Sequence, residues 1–101
     1  MAANRDLRID THTLARFCER HHIRRLSLFG SALKETARPE SDIDLLVEFE
    51  PGSTPGLLGI GQMELELAGL LGRNVDLRTV NDLSRYFRDE VLRTASVQYS
   101  R

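Results

Sequence analysis

The amino-acid sequence predicts an α/β (α+β) fold in which helices pack against one small β-sheet. Two observations support this prediction. Short apolar runs of strand length, such as "RLSLFG" and "ESDIDLLVEF", alternate with segments whose apolar residues recur every three or four positions, as on a helix. The 101 residues are enough for one modest hydrophobic core. We therefore expect a single domain over residues 1–101.

The first predicted elements are a helix and a strand. Asp10 and Thr11 can cap the helix. Its apolar stripe recurs at helical spacing through Leu14, Phe17, Cys18 and His21. The run "RLSLFG", which ends at Gly30, predicts the first strand. The segment "GSALKETARPE" then predicts a Gly-Ser turn and a proline-containing loop.

The middle of the chain predicts a strand, a loop and a second helix. The stretch "ESDIDLLVEF", residues 40–49, reads as the second strand. Residues 50–56, "EPGSTPG", contain two prolines and two glycines and predict a loop. Gly72 is placed to end the helix that follows. The apolar stripe of this helix is Ile60, Met63, Leu67, Leu70 and Leu71.

The last part of the chain predicts a third strand and a third helix. The strand is "NVDLRTV", which is short and β-branched near its ends. The helix is indicated by an apolar stripe at Leu83, Phe87, Val91 and Ala95. The closing "SVQY" predicts either a short edge strand or a segment that docks on the rest.

The composition excludes several classes of function. Hydrophobic residues make up 41% and charged residues 29%, and the formal net charge is −1 with a pI of about 6.3. Because no basic field is available to hold a phosphate backbone, direct nucleic-acid binding is not expected. The single cysteine, Cys18, fits a reducing compartment and a buried thiol. With no apolar run of membrane-spanning length and no signal-peptide core, we expect a cytoplasmic protein.

Two aspartates interrupt the otherwise apolar second strand. Successive strand residues face opposite sides, so Ile43 and Leu45 share one face while Asp42 and Asp44 share the other. Backbone positions two residues apart on a strand are separated by about 6.6 Å. Carboxylates at this distance repel each other unless water, protonation or a cation relieves the charge. The pattern indicates that water, a proton or a cation lies between them.

The third predicted strand supplies another acid. Asp76 lies between Val75 and Leu77 and faces opposite to both. If these two contact the same helical layer as the apolar residues of the second strand, Asp76 joins Asp42 and Asp44 on the other face. Such a cluster of oxygen ligands suits Mg²⁺ or Mn²⁺. It suits Zn²⁺ poorly, since no cysteine or histidine lies within a ligand spacing of the acids.

The tripeptide "FGS" at the end of the first predicted strand indicates an anion site. Gly30 lets the backbone approach a ligand, and Ser31 could open a short helix whose N–H groups bind phosphate. Phosphates bridged to metal ions that carboxylates hold are the recurring arrangement of phosphoryl-transfer chemistry. The order of the two motifs therefore predicts that reaction class.

These motifs resemble a known family. The stretch "LFGSALKETARPESDIDLLVEF", followed by "VDL", is similar to the minimal nucleotidyltransferases of the DNA polymerase β superfamily. It is most like the MNT antitoxins, which pair with HEPN-domain toxins. The resemblance covers most of the chain, including "STPGLLG" and "YFRDEVLRTASVQY". It implies the DNA polymerase β-like nucleotidyltransferase fold, a small mixed sheet packed against helices.

The resemblance also implies roles for individual residues. Gly30 and Ser31 would hold the triphosphate of a nucleotide. Asp42 and Asp44 would bind two metal ions, which are Mg²⁺ or, in its place, Mn²⁺. Asp76 would complete the second metal site and help to deprotonate the attacking hydroxyl. The implied reaction is transfer of AMP from ATP to a tyrosine hydroxyl of a HEPN-domain toxin, with release of pyrophosphate.

One position departs from the family pattern. Many relatives have Arg-Gly shortly after Gly-Ser, whereas this chain has Lys34 and Glu35. Lys34 keeps a cation for phosphate, although as a point charge without the fork of an arginine. Glu35 replaces a flexible glycine by a bulky anion, which puts the nucleotide affinity in doubt but not the metal site.

Other interpretations stay open on the sequence alone. The chain could be a non-catalytic antitoxin that masks its toxin, or a small terminal transferase that acts on RNA. Asp42 could be a turn residue and Ser31 a turn cap. The role of Asp76 could be limited to protecting an edge strand from aggregation. Because 101 residues leave no room for a second lobe, we expect a partner protein to present the acceptor.

Overall fold

The computed structural model describes residues 9–29 and 43–101. This part of the chain contains three helices and four strands, and a short 3₁₀ turn precedes the third helix. The helices are α1 (Thr11–Arg20), α2 (Leu57–Leu71) and α3 (Arg85–Thr94). The strands are β1 (Ile23–Phe29), β2 (Ile43–Phe49), β3 (Val75–Arg78) and β4 (Ser96–Ser100), and the 3₁₀ turn is Val80–Asp82.

The described strands form one mixed sheet in the order β3-β2-β1-β4. β1 pairs antiparallel with both β2 and β4, whereas β2 and β3 are parallel. A parallel pair needs a long crossover connection, and α2 supplies it. The predicted α/β fold is confirmed, and of the two interpretations of "SVQY" the edge strand is right.

The helix boundaries follow local sequence signals. The side chain of Asp10 accepts a hydrogen bond of 3.0 Å from the backbone N–H of Thr13, so the predicted cap of α1 is present. α2 ends at Gly72, which adopts a left-handed conformation with φ 72°. This conformation is costly for residues with a β-carbon, and it explains why a glycine ends the helix here.

The hydrophobic core lies between the sheet and the helices α1 and α2. The buried members of this core come from both helices and from three strands: Leu14, Phe17, Cys18, Ile23, Leu26, Leu28, Ile43, Leu45, Val47, Met63, Leu67, Val75 and Leu77. Cys18 is fully buried, as expected, and burial, together with the nearby Glu19, raises the pKa of its thiol to about 12. The thiol is therefore neutral and serves packing.

Two predicted apolar stripes are only partly buried. On α2, Met63 and Leu67 are in the core, whereas Leu70 is 42% exposed. On α3 no residue is fully buried, and Phe87 is 60% exposed. The spacing thus predicted both helices correctly, while it overestimated how much of each apolar stripe the sheet covers.

An ion-pair cluster joins the end of α1 to α2. The carboxylate of Glu66 accepts hydrogen bonds from the guanidinium of Arg20 and, at 3.0 Å, from His21. Burial alone would raise the pKa of the Glu66 carboxyl, but the hydrogen bonds from Arg20 and His21 outweigh it and lower the pKa below its ordinary value. We call Arg20, His21 and Glu66 the helix cluster.

None of the helices in residues 9–29 and 43–101 is long and apolar enough to cross a membrane.

Candidate active site

The two described aspartates of the predicted site are direct neighbours across the parallel strands β2 and β3. The register pairs Ile43 with Val75, Asp44 with Asp76, and Leu45 with Leu77. Neighbouring strands lie about 4.8 Å apart, so paired residues point the same way from adjacent backbones. The structure therefore brings Asp44 and Asp76 together. We call them the acid pair.

The burial of the flanking residues decides which way the acid pair faces. Ile43, Leu45 and Leu77 are at most 3% exposed, and Val75 is 9% exposed, all on the helix-covered side of the sheet. Side-chain alternation then places Asp44 and Asp76 on the other side, where both are half-buried. The condition that the sequence set for convergence of these acids is met.

The first strand ends beside the acid pair. Phe29, the last residue of β1, is the cross-strand partner of Asp44. Asp44 therefore lies between Phe29 on one side and Asp76 on the other. Gly30, which opens the predicted anion site, follows Phe29 directly in the sequence, and Asp42 directly precedes β2.

Four of the predicted site residues lie outside the described residues: Gly30, Ser31, Lys34 and Asp42. Glu35, at the position that departs from the family pattern, lies outside them too. The roles inferred for these residues stay predictions. Of the predicted site residues, the structure describes Asp44 and Asp76, the acid pair.

An arginine outside the predicted site residues binds Asp76. The guanidinium of Arg78 donates two hydrogen bonds to Oδ2 of Asp76, from Nε at 3.2 Å and from Nη2 at 3.0 Å. The two residues are separated by one position on β3, so their side chains leave the same face of the strand. The alternation of side chains between the two faces of a strand would have been enough to predict Arg78 as this partner.

The negative charge around Arg78 perturbs its titration. The hydrogen bonds to Asp76 and the charge of that carboxylate raise the pKa of the Arg78 guanidinium above its ordinary value, against a small opposing effect of burial. The more distant carboxylates of Asp82 and Asp44 raise the pKa further. The charges of both members of the acid pair thus stabilise the protonated guanidinium of Arg78.

β3 is fixed in place by two further contacts. The carboxylate of Glu64, on α2, accepts a hydrogen bond of 2.7 Å from the backbone N–H of Leu77. Beyond the strand, Thr79 and Asp82 form a capping box, with the Thr79 N–H donating to the Asp82 carboxylate at 3.1 Å. Asp76 is therefore carried by a strand that contacts α2 through Glu64 and is followed by a capped turn. The sequence gives no signal for the contact of Glu64, because it depends on how α2 lies along the edge of the sheet.

The donor set of the acid pair fits a hard divalent cation. Two carboxylates on adjacent strands offer oxygen ligands and negative charge, which Mg²⁺ and Mn²⁺ prefer. Within residues 9–29 and 43–101 no group of three or more histidine, cysteine, aspartate or glutamate side chains is placed to hold a metal ion. A third carboxylate ligand, if the sequence prediction is right, would be that of Asp42.

Comparisons with known proteins identify the family of this chain. The model of the nucleotidyltransferase domain family matches residues 12–97. A protein of Methanocaldococcus jannaschii that is assigned as a protein adenylyltransferase is 37% identical over 76 residues, which are 75% of this chain and 80% of that protein. The protein adenylyltransferase MntA of Thermococcus cleftensis is 39% identical over 75 residues, 74% of each protein.

Solved structures give the same result at the level of the fold. A protein assigned as a minimal nucleotidyltransferase superposes with a TM-score of 0.64 at 42% identity, over 87% of this chain and 95% of that chain. A toxin–antitoxin structure with AMP-PNP superposes with a TM-score of 0.73 at 20% identity, over 92% and 75%. The toxin–antitoxin MntA–HepT does so with a TM-score of 0.64 at 18% identity, over 90% and 70%.

The two toxin–antitoxin structures are too distant in sequence to show more than the fold. The family model spans most of the chain, however, and two adenylyltransferase relatives exceed 30% identity over about three quarters of it. The resemblance inferred from "FGS" and "DID", and the nucleotidyltransferase activity it implies, are confirmed. The chain belongs to the nucleotidyltransferase domain family, among its minimal nucleotidyltransferases.

Proposed function

We propose that this chain is an antitoxin that transfers AMP from ATP to a tyrosine hydroxyl of a HEPN-domain toxin. The observation that supports the proposal most directly is the register of β2 and β3, which sets Asp44 beside Asp76 on the face away from the core. Paired carboxylates of this kind are what nucleotide transfer needs to hold divalent ions against a triphosphate.

The proposed reaction is a substitution at the α-phosphorus of ATP. The tyrosine oxygen forms a bond to this phosphorus, the bond between the α-phosphorus and the bridging oxygen to the β-phosphate breaks, and pyrophosphate leaves. The hydroxyl proton passes to a carboxylate, for which Asp76 is the candidate. The divalent ions, when bound, neutralise charge on the phosphates and polarise the α-phosphate. Asp42 and Asp44 would hold them together with Asp76.

The names of the relatives support the acceptor and the partner. The Thermococcus cleftensis relative is a protein adenylyltransferase, so its acceptor is a protein. One of the solved structures contains MntA and HepT as a toxin–antitoxin pair, and the designation HepT implies a HEPN-domain protein. The AMP-PNP in the other toxin–antitoxin structure is an analogue of ATP. By analogy we assign ATP as the co-substrate, Mg²⁺ as the metal and a HEPN-domain toxin as the partner of this chain.

The test is transfer of labelled AMP onto the partner. The purified chain is incubated with α-labelled ATP, Mg²⁺ and the protein that the adjacent gene encodes. We expect label on that protein, and a loss of about 100-fold or more in Asp44→Asn and Asp76→Asn, because removal of a metal ligand costs several kcal/mol of transition-state stabilisation. Asp89→Asn is the matched control, since Asp89 is an exposed acid on α3.

The outcomes separate the proposal from its alternatives. Label that appears on RNA instead of protein would identify a terminal transferase. Neutralisation of the toxin by Asp44→Asn and Asp76→Asn as efficient as by the unchanged protein, without transfer of label, would identify a masking antitoxin. A partner variant in which phenylalanine replaces the labelled tyrosine should accept no label. Equal labelling of that variant would contradict the tyrosine acceptor.

A further inference from the structure

The contact between Arg78 and Asp76 has an unusual arrangement. Both hydrogen bonds of the guanidinium, from Nε and from Nη2, end on the same carboxylate oxygen, Oδ2. A fork-to-fork pair, in which each donor takes its own oxygen, is the geometry that arginine uses for its most stable contacts with carboxylates. The observed pair converges instead on one of the two carboxylate oxygens that Asp76 could offer to a metal ion at the acid pair.

Arg78 is placed to release this contact at low cost. Its side chain is 50% exposed and that of Asp76 is 38% exposed, so water can solvate the guanidinium once it leaves. Its register partner across the sheet is Leu46, which offers no charge to hold it. Ion pairs with this degree of exposure contribute at most about 1 kcal/mol.

The charges explain why a cation is needed at this place in the absence of metal. Asp44 and Asp76 are carried side by side by adjacent strands, so the folded state holds two carboxylates closer together than the unfolded chain does. A guanidinium on the same face reduces their repulsion. A divalent ion at the same carboxylates would be repelled by that guanidinium.

From these contacts we propose that Arg78 acts as an intramolecular counter-cation: it occupies Asp76 in the metal-free protein and is displaced when a divalent cation binds the acid pair. The proposal rests on the metal site of the proposed function. Arg78 thereby sets the metal concentration at which the site fills, and it stabilises the fold while the site is empty of metal.

The first test is the affinity for Mn²⁺, measured without nucleotide by electron paramagnetic resonance of the free ion. Arg78→Gln should bind Mn²⁺ about threefold to tenfold more tightly, because one repelled positive charge is removed from the vicinity of a doubly charged ion. Arg16→Gln is the matched control. Arg16 is exposed on α1, which packs on the opposite face of the sheet, and its replacement makes the same change in net charge.

The second test is thermal unfolding in the presence of a chelator. Arg78→Gln should lower the Tm of the otherwise unchanged protein, whereas in an Asp76→Asn background the same replacement should have little effect. This double-mutant cycle isolates the pair from any general effect of Arg78 on β3. It requires no metal, so it probes the counter-cation by itself.

Each outcome decides the proposal. Mn²⁺ binding that weakens in Arg78→Gln would mean that Arg78 positions Asp76 as a ligand, and unchanged binding would mean that the two cations do not compete. Either result overturns the displacement while leaving the metal site of the proposed function intact, provided that Asp44→Asn abolishes Mn²⁺ binding. If the unchanged protein binds no Mn²⁺ in an Asp44-dependent way, the metal site and the counter-cation fail together.

Discussion

The helix cluster and the acid pair are both groups of polar and charged side chains at the edge of the core, but they combine carboxylates and hydrogen-bond donors in different proportions. In the helix cluster one carboxylate, that of Glu66, accepts hydrogen bonds from two partners, Arg20 and His21. In the acid pair two carboxylates lie next to each other, and one guanidinium donates to Asp76. The first arrangement gathers hydrogen-bond donors around one carboxylate, whereas the second places two carboxylates side by side.

The two groups also differ in what carries them. Arg20 and Glu66 are on separate helices, so their contact joins α1 to α2, and His21 adds a ring contact to the buried Phe17 at a centroid distance of 4.6 Å. The acid pair joins strands that backbone hydrogen bonds already hold together. An ion pair between two elements stabilises a fold, whereas carboxylates paired across adjacent strands of one sheet indicate a ligand.

The largest expected difference is the response to metal. Mg²⁺ at 100 times its dissociation constant should stabilise the protein by about 2.7 kcal/mol, because it binds the folded state and relieves repulsion present only there. Glu66→Gln should show the same stabilisation and Asp44→Asn should show none, as measured by denaturant unfolding with and without Mg²⁺. An equal response of Asp44→Asn and the unchanged protein would refute the assignment of the acid pair as the metal site.

The next effect is on metal-free stability. Glu66→Gln should lower the free energy of unfolding by about 0.5 to 1 kcal/mol, as is usual for partly exposed ion pairs. Asp44→Asn should lower it less, since the replacement also removes the repulsion between Asp44 and Asp76. Glu90→Gln, at an exposed position of α3, serves as the control in urea unfolding. The comparison fails if Asp44→Asn is the more destabilised of the two.

The smallest effect is a pH dependence of the helix cluster. Burial raises the pKa of Glu66, but its hydrogen bonds with Arg20 and His21 prevail, so the folded-state pKa lies below the ordinary value of 4.5. Stability from this carboxylate is therefore present above about pH 4.5 and is lost as the pH falls through the folded-state pKa. Unfolding measured from pH 7 to pH 3 should show a shallower loss for Glu66→Gln. Parallel curves would contradict this contribution.

How much of the fold the sequence predicts depends on the range of the interactions involved. The cap at Asp10 and the end of α2 at Gly72 are local signals, and both were predicted correctly. The burial of α3 was not predicted correctly. Its stripe at Leu83, Phe87 and Val91 predicts a buried face, but no element of the described structure fully covers that face. Periodicity indicates which residues share a face, but not how closely another element approaches it.

The candidate site shows the same division. Alternation along β2 and β3 predicted that Asp44 and Asp76 both face away from the core, and the burial of Leu45 and Leu77 agrees. The partner of Asp76 was missed, although Arg78 two positions later follows the same alternation. The site roles of Gly30, Ser31, Lys34 and Asp42 stay predictions.

The type and order of the elements, and the face on which Asp44 and Asp76 lie, follow from the amino-acid sequence, because they depend on contacts and periodicities within a few residues. The fold, in contrast, establishes that β2 and β3 are parallel neighbours in the register that aligns Asp44 with Asp76, and that Glu64 reaches the backbone of β3. Strand pairing joins residues far apart in the chain, and each strand could pair in several ways that satisfy its own pattern equally well. The choice among them is made by the packing of the whole core.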